Sequence, residues 1–408
     1  MRKPSLGAIF LTVCLDLLGF GLALPFLAEV ARSTFHTSSL MGTLLASSYS
    51  AMQFLFVPFW GRISDRVGRK PVLTWSIAAT ALANLALALA LAYGSSIAWL
   101  FVARMFAGFA TANLGTASAY IADITSPKDR AKGMGLIGAA FGVGFVLGPG
   151  IGGVLAQIPL NGRHGPWALF LAAALSAVNF VWVAAGLVES LPPERRTKHA
   201  ERRLAPIDVK KTLEVLADHA LARAVLSNFV LILFFSGMEQ TMRYFNKDGF
   251  DMTLSQTGAL LVVVGLTGAA VQGGIVRRLS GRVQDTAMLK VGLVLQAIAF
   301  GGITASPSVG RWLLYASGVV LAIGNGLTQP ATSAFVSKRA KEGEQGVTLG
   351  VNQSMSSLAR ATGPALAGFV YDALGIRSPF ALATVGMLLA LLVAAPLHDA
   401  MGLPPKFE

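Results

Sequence analysis

Twelve stretches of this chain are long and apolar enough to cross a bilayer, and they leave room for little else. A spanning helix needs about 20 mostly apolar residues. Laid along the sequence, that ruler finds candidates near 6–30, 39–60, 71–93, 97–122, 132–157, 166–188, 222–245, 255–279, 287–306, 311–336, 346–373 and 378–397. Hydrophobic residues fill 54% of the 408 positions and charged ones 13%, against about 25% charged in an ordinary soluble domain. That excludes a disordered chain and argues against a purely soluble enzyme. A net charge of +13 would suit nucleic acid in a soluble protein. Here the bases lie between long apolar stretches, so the expected partner is the lipid bilayer and not nucleic acid. Cys14, the single cysteine, lies in the first stretch and reads as a small core side chain. No intrachain disulfide can form, and no His/Cys cluster suggests a metal or other cofactor.

Most connections are short. The exception, 189–221, is polar and basic and divides the chain into six stretches plus six. We therefore expect an N-terminal bundle over 1–188, a cytoplasmic basic linker over 189–221 and a C-terminal bundle over 222–408. Within the linker, 206–220 suits a short amphipathic surface helix. Arg2 and Lys3 precede the first stretch as they would in a signal peptide. That stretch is nonetheless too long, contains Asp16 and shows no convincing cleavage site, so a retained helix is expected. With the N-terminus in the cytoplasm, the inside segments hold 24 Lys and Arg and the outside segments 6. This asymmetry places both termini in the cytoplasm.

The two halves also echo each other. SAYIAD at 118–123 matches SAFVSK at 333–338, and GPGIGG at 148–153 matches GPALAG at 363–368, both at an offset of 215. At an offset of 212, Gly61 with DRVGRK at 65–70 faces Gly273 with RRLSGR at 277–282. Three matches in the same order argue for duplication, and parallel six-helix repeats build one large transporter fold.

The strongest local signal is Gly61-Arg62-Ile63-Ser64-Asp65-Arg66-Val67-Gly68-Arg69-Lys70, between the second and third stretches. Glycines there permit a tight turn and close helix approach, while one carboxylate sits among four bases. A positive-inside pattern needs only the bases. The full spacing resembles the signature loop of the major facilitator superfamily. Asp16-Leu17-Leu18-Gly19-Phe20-Gly21-Leu22-Ala23-Leu24-Pro25 resembles the first-helix motif of its drug/proton antiporter branch. Arg104 followed by Gly108 resembles that branch's arginine motif. Gly144, Gly148-Pro149 and Gly152-Gly153 resemble its glycine–proline motif. Tetracycline and multidrug efflux carriers are the nearest look-alikes, and Phe235-Ser236-Gly237-Met238-Glu239 also resembles the tetracycline-transporter-like proteins of animals. The resemblance implies an all-α integral membrane protein with twelve transmembrane helices in two pseudo-symmetric six-helix bundles. It further implies alternating access, a monomer and a multi-pass place in the cell membrane, with a bacterial inner membrane expected.

A charge in the bilayer interior is costly, so intramembrane ionisable residues need partners and usually face a cavity. The candidates are Asp16, Arg104, Glu239, Arg243 and Arg360. Helix rise places Asp16 and Arg104 at similar depth. They could be a permanent ion pair, or Asp16 could carry a proton while Arg104 positions substrate. Glu239 could pair with Arg360 near a cavity or with Arg243 one turn on. Gln53, Asn113, Asn228, Gln240, Asn325, Gln329 and Asn352 could meet substrate or hold helices together. By resemblance, Asp65 helps hold the cytoplasmic side closed, with Gly61, Arg66, Gly68, Arg69 and Asp123 as neighbours. At the repeat offsets Arg277 and Lys338 replace Asp65 and Asp123, so an acid-based latch is expected only in the first half. Gly148-Pro149 and Gly363-Pro364 fall within helices, either as close packing or as flexible points between halves.

These features favour a proton-coupled secondary transporter exporting a lipophilic small molecule or drug. The alternatives are a carrier of another solute class (organic anion, amphiphile or lysolipid) and a transporter-fold sensor. A membrane enzyme would need a convergent nucleophile, base or metal site, and no histidine lies mid-membrane. No GxxxxGK[ST] motif marks ATP as the energy source.

Overall fold

The computed structural model of the protein describes residues 4–23, 26–111, 113–125, 130–193, 196, 209–279, 282–340 and 345–398. Each of the twelve apolar stretches is helical. In the first half, the first stretch is α1 (Leu6–Ala23) followed by α2 (Leu27–Phe35), the second α3 (Ser39–Val67) and the third α4 (Arg69–Tyr93). The fourth is α5 (Ala98–Ala110) with α6 (Asn113–Ile124), the fifth α7 (Arg130–Leu155) and the sixth α8 (Pro166–Gly186). The linker contributes α9 (Val209–Leu216), inside the surface helix expected over 206–220. In the second half α10 (His219–Phe250) is followed by α11 (Leu254–Ala270), which runs on through a π-helical stretch, Val271–Val276, and a last turn, Arg277–Leu279. Then come α12 (Asp285–Val309), α13 (Arg311–Arg339), α14 (Gln345–Leu374) and α15 (Ser378–Ala394).

Seven of these helices are long and apolar enough to span by length and composition alone. The remainder depart from the simple ruler for identifiable reasons. The fourth stretch is divided near Thr111, α13 and α14 span 29 and 30 residues but carry many polar side chains, and α15 has only 17 residues.

The chain forms two compact units, one of residues 1–206 with 252–262 and the other of residues 207–251 with 263–408. The first part of α11 therefore packs with the first unit, where a side chain on Gly258 would meet the Pro149 carbonyl at 2.8 Å. In the first unit α1 packs on α7 and α8, α4 on α8 and α5, and α3 on α5. In the second, α10 packs on α14 and α15, α12 on α15 and α13, and the π-helical stretch on α13. Numbered by stretch, the first pattern is 1–5, 1–6, 3–6, 3–4 and 2–4. The second repeats it six stretches later, which is the structural form of the duplication.

Glycine sets the closest contacts in both units. A Cβ on Gly21 of α1 would lie 2.5 Å from the Gly144 carbonyl oxygen of α7, and one on Gly148 would lie 2.7 Å from the Gly21 backbone. In the second unit a Cβ on Gly237 of α10 would lie 3.0 Å from the Gly363 carbonyl oxygen of α14. The partners Gly148 and Gly363 are the repeat pair seen in the sequence, and Gly21 and Gly237 stand at an offset of 216. Pro149 and Pro364 lie inside α7 and α14, as expected.

Only part of the signature segment is a loop. α3 continues to Val67 and α4 begins at Arg69, so the turn is Gly68 alone, whose φ of +110° is in the region that favours glycine. Gly61 serves neither expected purpose. It lies inside α3, and a Cβ there would meet nothing within 4 Å among the described residues.

Candidate functional site

The intramembrane cluster of the first unit is built around Arg104. One turn along α5, a side chain on Gly108 would collide with the Tyr49 carbonyl and lie 2.9 Å from the Met52 Cβ. Its absence lets α5 approach α3 closely, and the Arg104 guanidinium then lies 4.5 Å from the centre of the Tyr49 ring. The other face of the cluster is aromatic, with Phe20 of α1 stacked on Tyr49 at 5.6 Å. Asp16, buried, is one helical turn before Phe20 on α1. Gln53 donates from Nε2 to the Tyr49 hydroxyl at 3.0 Å and to the Thr111 carbonyl at 3.3 Å. Arg104 is 6% exposed, and its Nε has no hydrogen-bond partner among the described residues. The sequence suggested an Asp16–Arg104 pair. What the structure sets against the guanidinium is the face of Tyr49, a cation–π contact.

In the second unit Glu239 and Gln240 are half-buried on α10, and Arg360 is half-buried on α14. Arg243 is buried further along α10. Asn228 donates to Asn352 Oδ1 at 3.1 Å and to Ser356 Oγ at 2.9 Å, so these residues join α10 to α14. Asn325 and Gln329 stand one turn apart on α13, and the buried Asn325 Oδ1 has no partner among the described residues. Asn113 opens α6, and its side chain lies outside the described residues.

The signature segment forms a network inside the first unit. Arg69, 6% exposed, is its hub. Its guanidinium reaches Asp65 at 2.6 Å, Asp123 at 3.1 Å and Ser64 Oγ at 2.7 Å. Ser190 Oγ donates to Asp123 at 3.0 Å. Glu189, just past α8, accepts the Arg69 and Lys70 backbone N–H groups at 2.8 and 3.2 Å, satisfying the first turn of α4. Arg196 closes on Glu189 at 3.5 Å. Arg66 stands in the last turn of α3. Asp65 and Asp123 thus share one buried arginine, and the two linker-side residues Glu189 and Ser190 complete the set.

The second unit has a matching bridge of reversed sign. Lys338 at the end of α13 meets Asp285 at the start of α12 at 2.6 Å. Asp285 opens α12 as Arg69 opens α4, although the matched sequences of these segments stand at an offset of 212, and Lys338 is the counterpart of Asp123 at 215. The expectation that bases simply replace acids here needs correcting: the acid has moved to the other end of the same bridge. Asp285 was not legible, since the sequence match pairs Arg69 with Gly281. Glu189 and Tyr49 had no local signature, since each works through a tertiary contact.

A sequence profile of the Major Facilitator Superfamily matches residues 9–361 and 287–405. The human Major facilitator superfamily domain-containing protein 10 is 30% identical, over 93% of this chain and 90% of its own length. The class C tetracycline resistance protein of Escherichia coli is 32% identical, over 90% of each chain. Among solved structures, the human organic anion transporter MFSD10 (TETRAN) superposes with a TM-score of 0.73 at 27% identity, covering 95% of this chain and 98% of that one. A mutant of the nucleoside transporter NupG superposes with a TM-score of 0.78 at 14% identity, covering 96% of this chain and 98% of that one, a likeness of fold. With the profile across its length and these relatives over nine-tenths of it, the chain belongs to the Major Facilitator Superfamily of membrane transporters.

Proposed function

We propose that the protein is a proton-coupled secondary carrier whose solute is a lipophilic organic anion. Arg104 carries this reading. It is a buried guanidinium over an aromatic ring, with one nitrogen unmatched among the described residues. Such a charge needs compensation, and the anionic group of a solute supplies it while Phe20 and Tyr49 offer apolar surface. The organic anion transporter among the structural relatives supports the same solute class. The tetracycline resistance relative supports a second reading, export of a drug. Asp16 and Glu239 are the groups we assign to carrying protons, with Arg360 modulating Glu239. Asn113, Asn228, Gln240, Asn325 and Gln329 are assigned to the solute path. Gly61, Asp65, Arg66, Gly68, Arg69 and Asp123, with Gly148, Pro149, Gly363 and Pro364, are assigned to gating between two bundles of six helices. We place a monomer in the cell membrane with both termini cytoplasmic.

The test is reconstitution in liposomes loaded with a pH dye, using a panel of anionic, zwitterionic and cationic lipophilic solutes. Anionic members should drive proton movement, and Arg104→Gln should weaken it by raising KM for the anion. Proton movement with cationic drugs alone would replace this reading by the second.

A further inference from the structure

At the end of the eighth stretch the second unit holds a cavity of about 570 Å³ lined by Gly273, Gly274, Arg277, Arg278 and Arg282. That size is within the range of small-molecule sites, about 300–1,000 Å³. All three arginines are exposed, and no carboxylate is among the described lining residues. A Cβ on either glycine would meet nothing within 4 Å among the described residues, so a larger side chain there would project into this space. They lie in the π-helical stretch Val271–Val276, an irregularity that occurs often at functional sites. The nearby acid, Asp285, is already engaged with Lys338.

We infer that this cavity binds the phosphate-bearing headgroup of an anionic phospholipid. Guanidinium groups form forked, charge-assisted hydrogen bonds that match phosphate oxygens. The excess of Lys and Arg puts this end of the helix at the cytoplasmic surface, where anionic lipids give the leaflet its negative potential. The lining residues lie at the end of the spanning helix Leu254–Leu279, so a headgroup bound there can keep its acyl chains in the membrane. The site is independent of the solute assigned above.

The purified full-length protein, in detergent, is titrated with phosphatidylglycerol, phosphatidylcholine, inorganic phosphate and water-soluble glycerophosphoglycerol, and bound lipid is counted by native mass spectrometry. Two variants are compared: Arg277→Gln/Arg278→Gln/Arg282→Gln, which removes the charges, and Gly274→Leu, which keeps them but fills the cavity. Phosphatidylglycerol should bind the native protein at least tenfold tighter than phosphatidylcholine, and both variants should lose that preference. If the triple variant does not fold, Gly274→Leu decides alone. Unchanged binding by Gly274→Leu would overturn the proposal, since a diffuse basic surface would not notice a filled cavity. Equal affinity for the lipid and its soluble headgroup would overturn the assignment of a membrane source.

Discussion

Arg104 sits over the Tyr49 ring because Gly108, one turn along α5, carries no side chain to hold α5 off α3. That dependence makes the residue testable in more than one way. Arg104→Gln should raise KM for an anionic solute at least tenfold, about 1.4 kcal/mol. Arg104→Lys should recover little, because an ammonium lacks the planar face that stacks on an aromatic ring. Initial-rate kinetics in proteoliposomes check both. The two acids are expected to divide their work. Asp16→Asn should abolish proton-driven accumulation, whereas Glu239→Gln should affect coupling less and the choice of solute more. Solute-induced proton release by each purified variant in detergent measures this, and normal release from Asp16→Asn with loss from Glu239→Gln would reverse the assignment. At this scale the sequence made Asp16, Arg104 and Glu239 legible, since each is a charge in an apolar run. Tyr49 and Phe20 were not legible, because an aromatic ring in a membrane helix is ordinary until the helix opposite it is known.

Pairs of helices are fastened by small, countable devices. Glycine brings α1 against α7 and α10 against α14, and ion pairs tie the start of α4 to α6 and the start of α12 to α13. Lys338→Ala removes one partner of the buried Asp285 and should destabilise by about 1 kcal/mol. The swap Asp285→Lys/Lys338→Asp should recover part of that loss, and thermal unfolding in detergent is the measurement. Asp218 is the cap of α10, accepting the Ala220 and Leu221 N–H groups at 2.8 and 3.1 Å with Arg339 at 3.4 Å. Partial burial pushes its carboxyl upward, but the two backbone donors and Arg339 outweigh burial and hold it below the ordinary aspartate value. A group so depressed contributes stability that is present above the unfolded carboxylate range and is lost as pH falls through the folded value. Asp218→Ala should therefore cost about 1 kcal/mol near neutrality, with the gap from the native protein closing as the pH is taken below about 4. Helices were legible here from apolar runs and glycine–proline pairs. The reach of α3 to Val67 was not, because the signature's polar residues look like a loop while Gly68 alone makes the turn.

The whole molecule repeats its frame and not its chemistry. Helix neighbours, close glycine contacts and end-of-helix bridges recur in both units at an offset of 215–216. Asp16 has no acid at the matching place, where Leu231 and Ile232 stand, and Arg104 is matched by Val319. Six plus six was therefore readable from sequence self-similarity, while the functional charges had to be found one by one. Coupling requires unequal binding in the two access states, because a proton or solute bound equally in both shifts nothing. Exporting one monoanion against one proton would carry two charges in the same electrical sense, about 5 kcal/mol per 100 mV. The most direct measurement is therefore flux of an anionic lipophilic solute in proteoliposomes with the pH gradient and a potassium-valinomycin potential set independently. Accumulation driven by the pH gradient, increased by the potential and absent in Asp16→Asn, is the predicted result. Solute that only equilibrates whatever gradient is imposed, or that accumulates equally well with Asp16→Asn, would contradict proton coupling through this residue.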